Sequence, residues 1–72
     1  MDIGKKTIRR FGKRVHELRR SKGWSQEVLA FQLDQDRSYI SSLERGLRNP
    51  TLKTIAYIAQ ALEVPISALF VD

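Results

Sequence analysis

Residues 25–46 read SQEVLAFQLDQDRSYISSLERG, and the fold follows from how that stretch divides. Ser25 is placed to cap a helix, because its hydroxyl can accept one of the N–H bonds that a first turn leaves without a partner. Val28, Leu29 and Leu33 then recur at helical spacing until Asp34-Gln35-Asp36 interrupts the pattern. Asp36 can cap a second helix over residues 37–45, with Ile40 and Leu43 as its apolar spine. Gly46 stands where a left-handed stop is needed. Ala30 carries only a methyl group, which lets the second helix cross closely over the first. The reading is two short helices joined by a tight turn.

Working outward, residues 7–21 place Ile8, Phe11, Val15 and Leu18 three and four apart, one apolar stripe facing a core. Arg9, Arg10, Lys13, Arg14 and Arg20 occupy the other faces, Gly23 fits the C-terminal stop, and Trp24 reads as a core anchor. Residues 1–6 show no periodicity and read as frayed, with Lys5 and Lys6 still able to meet phosphates. Beyond Gly46, Leu47-Arg48-Asn49-Pro50 forms a connection and Thr51 caps a helix over 52–62. Leu52, Ile55, Ile58, Ala59 and Leu62 mark its buried stripe, and Tyr57 lies off it. Val64-Pro65 opens a last short helix containing Ile66, Leu69 and Phe70, followed by Val71. Residues 64–71 hold many apolar side chains and no charge, more than a monomer this small is expected to cover. Tyr57, Ile66, Leu69, Phe70 and Val71 are therefore the expected dimer interface. No strand pattern or repeat is present, so the expectation is an all-α single domain over 1–72 with four or five helices.

Seventy-two residues lie near the lower limit for folding unaided. There is no cysteine and His16 is the only histidine, so disulfides and a structural zinc site are not expected. A partner subunit is the stabiliser left. No stretch has the length or apolarity of a membrane span or signal peptide, and the expected location is the cytoplasm. The net charge of +5 is unevenly placed. Residues 1–22 hold nine Lys or Arg against Asp2 and Glu17, whereas residues 23–72 hold four against six acidic groups. Such a basic surface suits a polyanion, although a solvated basic helix face has the same composition. Enzyme chemistry finds little support, since there is no Ser/His/Asp or Cys/His set and no glycine-rich phosphate loop. His16, beside Glu17 on a basic helix, is expected to face solvent, and no metal or cofactor is expected.

Gln26, Ala30 four residues on, Ile40, Leu43 and Glu44-Arg45-Gly46 carry a resemblance. Their register resembles the helix-turn-helix of phage Cro/repressor-type (XRE-like) DNA-binding proteins over residues 11–70. Asp34 departs from it, standing where the turn usually carries Gly, and Asp tolerates that conformation better than most residues. The resemblance implies double-stranded DNA as partner, a phosphate contact at Gln26, dimerisation through the C-terminal end, and an ion pair between Arg19 and Glu44. The stretch LDQDRSYISSLERGLRNP resembles in particular the controller proteins of restriction–modification systems, alongside compact phage repressors and antitoxins. A helix read from its first turns in the major groove would present Gln35, Arg37, Ser38, Tyr39 and Ser42. Arg37 is the first choice for guanine, with phosphate binding or a bridge to Asp34 as its alternatives. Tyr39 can meet a thymine methyl or a phosphate, or pack on its own helix. Arg48 and Asn49, and more weakly Arg45 and Lys53, are expected on the DNA backbone. The functional expectation is a homodimeric regulator on a pseudo-palindromic operator, with RNA polymerase as a possible contact. The competing class is a helical interaction module without base reading. Anionic membrane binding is weak, because the first helix's stripe is needed for the core.

Overall fold

The computed structural model describes residues 2–71. In chain order these form α1 (Ile3–Ser21), α2 (Gln26–Gln32), α3 (Arg37–Glu44), α4 (Leu52–Leu62) and a terminal 3-10 helix (Ile66–Phe70). Three α-helices start on a side-chain cap. Asp2 Oδ1 accepts the Lys5 N–H at 3.2 Å, Ser25 Oγ that of Val28 at 3.2 Å, and Thr51 Oγ1 that of Thr54 at 3.1 Å. The Asp2 cap is why residues 3–6, expected to fray, continue α1 instead. Met1, the first residue of that expectation, lies outside the described residues. Asp36 holds the extended backbone of a cap, but its carboxylate makes no capping bond.

All four α-helices end alike. A left-handed residue follows the last turn, at Gly23 (φ 75°), Asp34 (φ 54°), Gly46 (φ 76°) and Glu63 (φ 59°). The next N–H then reaches back five residues, from Trp24 to Arg19 O, Gln35 to Ala30 O, Leu47 to Ser42 O and Val64 to Ala59 O, at 2.9–3.2 Å. These bonds satisfy carbonyls that a helix end leaves open. Asp34 takes the left-handed turn as expected. Glu63 does so without any turn residue to announce it, and Lys22 Nζ sits 2.6 Å from its carboxylate. That hydrogen bond and the lysine's charge hold the exposed Glu63 carboxyl below the usual range.

The core is made by Phe11, Val15, Leu29, Ala30, Ile40, Leu43, Ile55, Ile58, Ala59, Leu62 and Leu69, with Leu18, Trp24 and Leu33 packed against it. Two assignments on the expected stripes change. Leu52 is 84% exposed at the first position of α4, and Val28 is 38% exposed on the outer side of α2. The last segment winds as a 3-10 helix and seals the base of α1, where Arg14 Nε donates to Ala68 O at 2.7 Å.

One residue that periodicity passed over sets the closest crossing. A Cβ on Gly12 would lie 2.3 Å from Leu43 O and 2.9 Å from Glu44 O, so α1 rests on the last turn of α3 at a bare Cα. Gly12→Ala should therefore destabilise the fold. Alanine's helix propensity favours the variant by about 1 kcal/mol, but overpacking against a backbone carbonyl costs about 1–3 kcal/mol and wins. Urea denaturation checks this, and a variant as stable as the parent would contradict the crossing.

Candidate nucleic-acid interface

The interface begins from a buried ion pair. The Arg19 and Glu44 side chains are 6% and 4% exposed and meet in a two-point contact, Nε to Oε2 at 2.7 Å and Nη2 to Oε1 at 3.0 Å. Arg19 Nη1 also donates to Trp24 O at 2.7 Å. The pair ties α1 to the end of α3, the arrangement the resemblance implies. Two further donors join the same carboxylate. Gln26 Nε2 lies 3.1 Å and His16 Nδ1 2.9 Å from Glu44 Oε1. His16, expected simply to face solvent, is thus half-exposed and bonded at one ring nitrogen. Arg19 Nη2 also approaches that nitrogen, at 3.0 Å. Both contacts cannot be hydrogen bonds in one tautomer. We place the His16 proton on Nδ1, donating to Glu44, since the arginine already has carboxylate acceptors. Burial pushes the Glu44 carboxyl up, but the hydrogen bonds from Arg19, His16 and Gln26 and the charge of Arg19 outweigh it, and the net shift is downward.

Outside that anchor, α3 presents its first turn. Gln35, Arg37 and Ser38 are exposed. Among the described residues no ion pair holds Arg37, so the bridge to Asp34 is not made. Tyr39 is half-buried against the core, and the Arg48 guanidinium sits 5.3 Å from its ring centre. Packing against the core is therefore part of what Tyr39 does, and its ring face holds the Arg48 cation beside it. Ser42 is half-buried and donates its hydroxyl to Ser38 O at 2.9 Å, a bond that turns it back onto the helix. Arg48 and Asn49 are exposed on the connection after α3, and Arg45 is exposed with a long 3.4 Å bond to Ser41 O. Gln26 starts α2, its amide held by Glu44 at the last turn of α3. Gln26, Arg45, Arg48 and Asn49 thus gather about the C-terminal end of α3, while Gln35, Arg37 and Ser38 stand exposed at its start.

The five residues expected at a dimer interface do not form one patch. Leu69 is fully buried, a core residue rather than a surface one. Phe70 lies 5.4 Å, ring centre to ring centre, from Phe11 and borders Thr7, Ile8 and Pro50. Val71 borders Arg10, Lys13 and Arg14, whereas Tyr57 lines a separate cleft with Trp24, Leu33 and Ala61. Ile66, Phe70, Val71 and Tyr57 are each about half exposed. Among the described residues no group of three or more His, Asp or Glu side chains is placed to hold a metal, and no helix is long and apolar enough to cross a membrane.

Comparison with known proteins bears on the same elements. The chain is similar to the control protein C.MunI of Mycoplasma sp, 44% identical over 64 residues, which is 88% of this chain and 86% of that protein. Its structure resembles that of the restriction-modification controller protein C.AhdI from Aeromonas hydrophila, with a TM-score of 0.83 and 48% identity, covering 88% of this chain and 96% of the other. It also resembles the restriction-modification controller protein C.Esp1396I, solved as a tetramer in complex with its natural 35 base-pair operator, at a TM-score of 0.79 and 36% identity over 89% of this chain and 84% of the other. A helix-turn-helix family model matches residues 15–69, a span from the middle of α1 to the 3-10 helix that includes the α2–α3 motif and the Arg19–Glu44 anchor. The chain belongs to the helix-turn-helix family.

Proposed function

We propose that this protein is a sequence-specific DNA-binding transcriptional regulator that acts as a homodimer on a pseudo-palindromic operator, in the manner of a restriction–modification controller. The observation that carries the reading is the exposed first turn of α3, backed by a polar frame at the helix's far end, where Glu44 holds Gln26 and Arg48 and Asn49 follow exposed. Phosphate contacts at the frame position the protein, and Gln35, Arg37 and Ser38 meet base edges, with Tyr39 and Ser42 deeper in the groove. The similarity to controller proteins, one of them solved on its operator, supports the same reading. A cytoplasmic location and a contact with RNA polymerase belong to this proposal. The half-exposed apolar residues Tyr57, Ile66, Phe70 and Val71 are the candidates for the dimer face.

Selection from a random duplex library at near-physiological salt tests the proposal. A two-fold symmetric motif with half-sites about 34 Å apart is the expected product. Recovery of no motif would leave a helical interaction module as the better reading. Arg37→Ala should lower discrimination at one base pair per half-site by about 1–3 kcal/mol, measured by competition with singly altered operators. An equal loss on every sequence would place Arg37 on the phosphates instead.

A further inference from the structure

Apart from Arg19 in the ion pair, the α3 turn and its frame use none of the nine Lys and Arg that residues 1–22 carry. Several of those lie along one ridge of α1. Lys5, Arg9, Lys13 and Arg20 follow at intervals of four, four and seven, a helical spacing that stacks them on one side, and all four are exposed. His16 sits on the same ridge between Lys13 and Arg20.

Two points of the ridge adjoin the last turn of α3 and the segment just after it. At one point the stem of Arg9 covers Gly46, where an added Cβ would lie 2.7 Å from Arg9 Cγ. Gly46 is two residues before Arg48. At the other point His16 shares the Glu44 carboxylate with Gln26. Between them Gly12 brings α1 onto the last turn of α3. A shallow depression lined by Lys5, Lys6, Arg9 and Asp2 lies at the start of the ridge. The Asp2 carboxylate there is turned onto the Lys5 N–H as the cap of α1.

This charge is placed against local electrostatics. The first turn of α1 contains no acidic residue, and Lys5 and Lys6 sit near a helix N-terminus, the end that disfavours positive charge. Lys5–Arg9 and Arg9–Lys13 are like charges at i,i+4, which repel across one helix turn. A merely solvated face has no reason to concentrate repulsion in this way. A polyanion beside the ridge removes it.

We propose that the Lys5–Arg9–Lys13–Arg20 ridge of α1 is a third phosphate-binding surface, extending the track of the DNA backbone past the end of α3 where Gln26 and Arg48 hold it. The proposal rests on the DNA-binding reading and adds to it where the backbone runs and which residues neutralise it. Such contacts carry affinity and its salt dependence, and leave base choice to α3.

The test compares the full chain with a Lys5→Gln/Arg9→Gln/Lys13→Gln variant on a duplex enriched in the selection, by fluorescence anisotropy between 50 and 200 mM salt. Each lost phosphate contact should lower the slope of log K against log salt by about 0.9. Three such losses leave the parent about 40-fold more salt-sensitive than the variant over that fourfold range. Discrimination between operators should be unchanged. The variant should melt no lower than the parent, because its substitutions relieve repulsion. A neutral methylphosphonate at the phosphate nearest the ridge should weaken the parent and leave the variant nearly unaffected. Long-range field effects would instead weaken both proteins alike at every position, and that result overturns the proposal. So does an unchanged slope. Absence of salt-dependent duplex binding by the parent is a separate outcome, which removes the DNA-binding reading itself.

Discussion

Glu44→Ala is expected to remove about half of the protein's folding stability. The substitution strips the carboxylate from a guanidinium that is 6% exposed, and leaves its Trp24 O bond as the main remaining partner. Breaking a buried ion pair from one side costs about 3–5 kcal/mol, because the surviving charge stays out of water. A domain this size has only about 4–10 kcal/mol in total. Gln26 and His16 lose their shared acceptor as well, so DNA affinity should fall further than folding alone explains. Urea denaturation with circular dichroism measures the first effect. A loss below about 1 kcal/mol would show that the pair is only an ordinary surface bridge. Replacing both partners, as Arg19→Met with Glu44→Leu, should recover much of the stability, since no charge is then stranded.

The same carboxylate makes the fold acid-sensitive. The Glu44 pKa in the folded protein lies below its ordinary value of 4.5. The unfolded chain therefore takes up a proton first as pH falls. The stabilisation from Glu44 is fully present above 4.5 and is lost as pH drops through the lower folded value. Melting temperature should stay level towards that point from above and decline below it. Glu44→Gln should lack this component of the decline. An equal acid slope in both proteins would assign the sensitivity to other carboxylates.

Leu69→Glu is expected to abolish cooperative unfolding altogether. Leu69 has no exposed surface, so truncation alone removes about 2–5 kcal/mol, and the variant also buries a carboxylate with no partner. The two penalties together exceed what a chain of this length can lose. The adjoining Phe70→Glu should behave quite differently. Phe70 is 49% exposed and rests on Phe11 at one side only, so the variant should fold with a lowered melting temperature. Thermal melts and amide dispersion in proton NMR distinguish the two outcomes. If Leu69→Glu melted cooperatively near the parent temperature, the 3-10 helix would not be the seal it is described to be. Sedimentation of Phe70→Glu beside Tyr57→Glu then identifies which apolar group holds the dimer, as the two residues line separate clefts.

The pair Leu69 and Phe70 also shows where reading the sequence stops. Ser25, Thr51, Gly23, Gly46 and the Asp34 turn were all legible, because a cap or a stop is a bond between residues three to five apart. The exposed first turn of α3 was legible for a similar reason, since Ile40 and Leu43 mark the side that must be buried. The Arg19–Glu44 pair came through resemblance, not spacing. By itself, then, the sequence determined an all-α chain, the positions of its helices and the α2–α3 motif. Tertiary structure decided the rest. In the run 64–71 no charged residue marks an outer side, so only the docking of the 3-10 helix on α1 buries Leu69 and leaves Phe70 half outside. Gly12 has no turn or stop to signal it, and its role exists only where α3 crosses α1 from thirty residues away. The gathering of His16 and Gln26 on Glu44 is of the same kind. Local bonds are written in neighbouring residues, whereas a crossing needs the partner helix to be in place before any side chain acquires its meaning.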